Sequence, residues 1–170
     1  MLNESLDEIR ITYMKKNYKV IQIKIAPLNS IDKAIEDGYL PAGTYFSDEN
    51  VPLDLLKEEK LVHIIVPNGG MVGGSDIVRY MSSMNLKACT NAPNYLLGLV
   101  KILSEQKISE LEGDAAFISI GSEYFSYLGR HVMHVDYENG KAGLYATEYK
   151  GPDWHTSFIN KWYFLAESIS

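Results

Sequence analysis

Between Tyr18 and Ala26 apolar and polar side chains alternate. Ile21, Ile23 and Ile25 fall on one side and Gln22 and Lys24 on the other, which predicts a half-buried strand closed by Pro27. Ahead of it, Leu6, Ile9, Tyr13 and Met14 recur at helical spacing behind Ser5 and Glu8, a capping pair, and predict an amphipathic helix over 5–16 with Asn17 as its stop. Ser30 as cap and Gly38 as stop predict a short helix between them. Residues 39–50 mix Pro41, Gly43, Ser47, Asp48 and Asn50 with Tyr39, Leu40, Tyr45 and Phe46, the pattern of a loop anchored by aromatic side chains, and 52–59 reads as another short helix. Leu61 to Val66 is a near-continuous apolar run, which suits a central strand covered on both faces.

Pro67 to Gly74 carries four glycines within six positions and predicts a loop. Ser75 or Asp76 then caps a helix through Met84, with Ile77, Val78, Tyr80, Met81 and Met84 as its apolar stripe. Leu86 to Cys89 reads as a short strand. Pro93 opens the strongest helix of the chain, continued by Leu96, Leu97, Leu99, Val100 and Leu103. Beyond Asp114 the pattern is strand-like: Ala115 to Ile120, then His131 to Glu138 and Lys141 to Tyr149 around Asn139-Gly140, a pair that tolerates positive φ and marks a hairpin. Gly151-Pro152-Asp153 reads as a turn, and Lys161 to Glu167 as the strand that closes the meander. The expected fold class is α+β in a single globular domain spanning 1–170. Its N-terminal α/β portion of mixed strands and helices covers 1–90, and a long helix packed on an antiparallel β-meander covers 91–170.

Tyr95-Leu96-Leu97-Gly98-Leu99, Phe117-Ile118-Ser119-Ile120-Gly121-Ser122 and Trp162-Tyr163-Phe164-Leu165-Ala166 form a sequence of apolar helix, strand ending in Gly-Ser, and aromatic closing strand. Over residues 92–167 this resembles a C-terminal module of uncharacterised bacterial proteins. The resemblance implies no activity.

A chain of 170 residues with 46% hydrophobic and 22% charged residues is of ordinary globular composition. A net charge of -6 makes a phosphate-tracking surface, and so nucleic-acid binding, unexpected. Twelve tyrosines against five Phe and two Trp suit half-buried strand faces or a contact surface. The single cysteine excludes an internal disulfide and fits a reducing compartment. Together with an acidic, polar beginning and no apolar run long enough to span a bilayer, it leads to the expectation of a soluble, cytoplasmic protein.

Three features carry candidate chemistry. Cys89 ends a strand just before a helix, where a helix N-terminus lowers a thiol pKa, with His63, His131 or His134 as possible bases; a buried hydrophobe is the plainer account. His134 and Asp136, two apart on one strand, share a face, so the carboxylate can orient the imidazole; a half-buried sheet histidine is the competing account. Gly69, Gly70, Gly73, Gly74 and Ser75 form a loop before a helix N-terminus and could cradle phosphate. Their spacing matches neither GxxxxGK[ST] nor GxGxxG, and Asp76 at the helix start repels an anion. No metal site and no cofactor are expected. The reading these features favour is a non-catalytic binding module for a protein or small ligand, with a homodimer possible. The alternatives are a hydrolase or acyltransferase using Cys89 as nucleophile, or a phosphate or nucleotide binder at the glycine loop.

Overall fold

The computed structural model describes residues 9–15, 18–51, 53–67, 74–106, 108, 111, 113–126, 129–148 and 162–169. The elements run β1 (Ile9–Lys15), β2 (Tyr18–Ile25), α1 (Ile31–Glu36), β3 (Lys60–Pro67), α2 (Gly74–Ser83), β4 (Leu86–Ala88), α3 (Ala92–Glu105), β5 (Ala115–Ser126), β6 (Gly129–Glu138), β7 (Lys141–Glu148) and β8 (Trp162–Ser168). The strands form one mixed eight-stranded sheet in the order β1-β2-β3-β8-β5-β6-β7, and the helices make the fold α+β.

Over its described residues, 9–15, the expected N-terminal helix is a strand. Ile9, Ile11 and Tyr13 alternate as well as they recur at helical spacing, and β-branched Ile9, Ile11 and Thr12 favour the extended chain. β1 pairs antiparallel with β2 from Ile9–Ile23 to Lys15–Tyr18, with a register shift between Ile11 and Tyr13. The helix expected over 52–59 is also absent from the described part, 53–59, which forms no regular element. Side chains from elsewhere take its backbone groups. Asn29 donates from Nδ2 to Leu56 O at 2.7 Å and accepts from Leu56 N at 3.2 Å, Asn94 donates to Asp54 O, and Tyr95 donates to Glu58 O. In the 39–50 loop Leu40 and Phe46 are buried anchors while Tyr45 is exposed.

β8 does not close the meander beside β7. It lies between β3 and β5, antiparallel to β3 (Ile64 opposite Leu165) and parallel to β5 (Phe117 opposite Tyr163). Beyond that parallel stretch β4 takes over the same side of β8, with Ala88 opposite Ala166. Tyr163, Phe164, Leu165, Ala166 and Glu167 are consecutive and buried, a pattern satisfied only where both faces are covered.

Strand alternation divides the core. Ile21, Ile23, Ile25, Val62, Ile64, Phe117, Met133, Val135, Tyr163 and Leu165 pack with Ile31 of α1 and with Tyr95, Leu96, Leu99 and Leu103 of α3. Val20, Ile65, Ile118, Val132, Phe164 and Ala166 face the other way, onto Ile77, Tyr80 and Met81 of α2. α3 comes so close to β2 that a Cβ on Gly98 would sit 2.1 Å from the Ala26 carbonyl oxygen. The tight turn at Asn139 and Gly140, with φ of 52° and 76°, joins β6 to β7. Among the described residues no helix is long and apolar enough to cross a membrane.

Candidate functional site around His134

On the α2 side of the sheet, His134 of β6 meets three side chains from three strands. Asp136 lies two places along β6, and its Oδ1 is 2.8 Å from His134 Nδ1. Against a carboxylate oxygen Nδ1 is the donor, so in the neutral ring Nε2 presents its lone pair. Tyr145 lies directly opposite on β7, its ring 5.9 Å from the imidazole at an interplanar angle of 28°. Trp162 of β8 approaches edge-on at 5.2 Å. Asp136, Ala116 and Trp162 form one row across β6, β5 and β8, and the small Ala116 side chain leaves room for the indole to reach the imidazole.

These groups differ in exposure. His134 is 7% exposed, whereas Tyr145 is 52% exposed. The Tyr145 ring is laid back along its own strand over Gly143, where an added Cβ would come within 2.6 Å of Tyr145 Cε2. A ring over a buried, carboxylate-held imidazole is a site that can hold a flat group by stacking and fix its orientation through one acceptor. The His134–Asp136 spacing is visible in the sequence. Tyr145 is legible only through the turn: a two-residue Asn139-Gly140 loop places Glu138 opposite Lys141, and counting back along both strands brings His134 opposite Tyr145. Trp162 carries no such signal, because the place of β8 depends on long-range pairing.

Cys89 belongs to a different place. Its side chain is part of the α3-side core, on the opposite face from His134, and is fully buried. Burial pushes its thiol up to about 12, with Lys60 pulling down and Glu167 adding to the rise. A thiol so held stays protonated at neutral pH. The same neighbourhood contains a polar cluster absent from the sequence reading. Glu167 Oε2 is 2.5 Å from Lys60 Nζ, and its carboxylate also accepts from the Thr90 backbone N–H and hydroxyl and pairs with Lys87 at 3.5 Å. Lys60 in turn donates to Thr90 O and stands 4.5 Å over the Tyr95 ring. Burial alone would raise the Glu167 carboxyl, but the Lys60 ammonium and the Thr90 donors outweigh it and hold it below the usual range.

Gly69, Gly70 and Gly73 lie outside the described residues, as do the segments 1–8, 16–17 and 149–161 with their expected helix start, stop and turn. Gly74 opens α2, and the exposed Ser75 and Asp76 follow it. His63 is buried on the α2 side, its Nε2 3.4 Å from the Ser168 hydroxyl, and burial lowers its pKa. A pocket of about 370 Å³ lies at the C-terminal end of α3, lined by Leu103, Ile108, Leu111 and Tyr137 among others, and contains none of Cys89, His63, His134 or Gly74. Among the described residues no three His, Cys, Asp or Glu side chains gather as metal ligands would. Comparisons with protein-family models, curated proteins and solved structures gave no match.

Proposed function

We propose that the protein is a non-catalytic binding module and that the His134 cluster is where it holds a small ligand. The observation that carries this reading is the imidazole fixed by Asp136 at 2.8 Å between the rings of Tyr145 and Trp162. Such a constellation orients an acceptor and offers stacking surface. The reading is supported further by the separation of Cys89 from His134 on opposite faces of the sheet, which takes His134 away as the base of the hydrolase or acyltransferase alternative. A cytoplasmic location belongs to the same reading, as does the long helix α3 serving as the support of the β5–β7 meander. A protein partner, including a second copy of the chain, is the competing occupant.

The test is a fragment screen read by the imidazole ¹H–¹⁵N signals of His134. Hits that shift His134 and are lost in Tyr145→Ala support the reading. Hits that all map elsewhere, or a dimer whose formation shifts His134 in the absence of any fragment, would replace it.

A further inference from the structure

We infer that the His134 site takes a planar organic cation, a guanidinium or amidinium group, as the charged part of its ligand; this rests on the binding reading above. The four described members of the cluster are one carboxylate, one imidazole and two aromatic rings. An ionised Asp136 only accepts. Its side chain keeps 31% exposure while one oxygen is engaged by His134, so acceptor capacity remains for a ligand. With Nδ1 committed to Asp136, Nε2 is the remaining ring nitrogen, held at fixed orientation. The open acceptor capacity of the carboxylate calls for a ligand that brings N–H groups, while the Tyr145 hydroxyl and the Trp162 indole N–H are the cluster's donors beside the ring N–H already in use.

The rings narrow the class. The faces of Tyr145 and Trp162 carry negative quadrupole potential and attract cations, and a flat delocalised cation stacks where a compact, strongly hydrated ammonium does not. An anion would face the Asp136 charge directly. A neutral ring would keep the stacking and lose the charge-assisted bonds to the carboxylate. Tyr145, half exposed and seated over the bare Gly143, is the member that can shift to admit the group without disturbing the backbone.

The experiment titrates the full chain with benzamidine, benzamide and benzoate, which share a ring and differ in charge, and reads the His134 imidazole signals. Benzamidine is expected to bind about tenfold tighter than benzamide, the scale of one charge-assisted hydrogen bond, with benzoate weakest. Asp136→Asn should erase the margin over benzamide, and Asp136→Glu should retain part of it, which separates loss of charge from loss of folding. Benzamide or benzoate binding as tightly as benzamidine would overturn the cation preference while leaving a binding site in place. A margin unchanged in Asp136→Asn would overturn it equally. Silence of His134 toward all three also overturns it, and the fragment screen then decides the broader reading independently.

Discussion

Lys60 and Glu167, 107 positions apart, join the first residue of β3 to the end of β8 through an Nζ–Oε2 contact of 2.5 Å. The pair is buried enough that losing one partner strands the other. Glu167→Ala is expected to cost about 3 kcal/mol, the lower end for breaking such pairs, because Lys60 keeps a route to water. Urea denaturation of Lys60→Ala, Glu167→Ala and the double variant should give a double change smaller than the sum of the singles. Strict additivity would show that the two side chains are energetically independent.

The depressed Glu167 carboxyl also sets an acid limit. Its contribution is complete above the unfolded carboxyl value, about 4.3, and is lost as pH falls through the lower folded value. The Glu167→Gln variant should therefore be less stable than wild type at pH 7 and converge with it in acid. A constant gap across that range would contradict the assignment.

His63 acts in a higher window. Burial lowers its pKa, so the folded protein favours the neutral ring. Its contribution is whole above the unfolded value of about 6.5 and declines as pH falls toward the lower folded value, because the unfolded chain takes up the proton first. Between pH 7 and 5.5 the urea midpoint of wild type should fall, and His63→Gln should flatten that slope. Identical slopes would assign the pH dependence to other groups.

Native Cys89 should resist iodoacetamide at pH 8 and react promptly once the chain is unfolded in guanidinium. The thiol is fully buried and pushed up to about 12, so both access and thiolate are lacking. Labelling of the native chain at the denatured rate would restore Cys89 as a nucleophile.

Two glycines should respond oppositely to alanine. At Gly98 the new methyl meets the Ala26 carbonyl at 2.1 Å, a backbone atom that cannot step aside, and a loss of about 3 kcal/mol is expected. At Gly143 it meets the tip of the Tyr145 ring, which can swing away, so stability should change by less than about 0.5 kcal/mol. The His134 ring signals should nevertheless move in Gly143→Ala, since the stacked Tyr145 is displaced. Unmoved His134 signals would mean that Gly143 does not seat the tyrosine.

The local signals in the chain were sufficient where one element decides its own geometry. Ser30 and Gly38 do bracket α1, with Ser30 accepting from Lys33 N, and Asn139-Gly140 does turn the β6–β7 hairpin. They failed where the period was ambiguous, as for Ile9 and Tyr13 in β1, and where distant side chains such as Asn29 and Asn94 claim backbone groups of 53–59. The pairing of His134 with Asp136 needed only strand alternation. Trp162 at the site and Glu167 beside Lys60 both depend on the insertion of β8 between β3 and β5, which no local pattern specifies. Its unbroken apolar run was the available hint, since a strand with one wet face would alternate.

Insertion of β8 has a consequence for birth on the ribosome. Ile64 and Ile65 find their partners in Leu165 and Phe164, so the inner edge of the paired β2 and β3 waits for about a hundred further residues to be synthesised, roughly 5–20 s at ordinary elongation rates. Through that interval an isoleucine-rich ribbon is without its neighbour, until translation delivers the strand that zips β3 to β5.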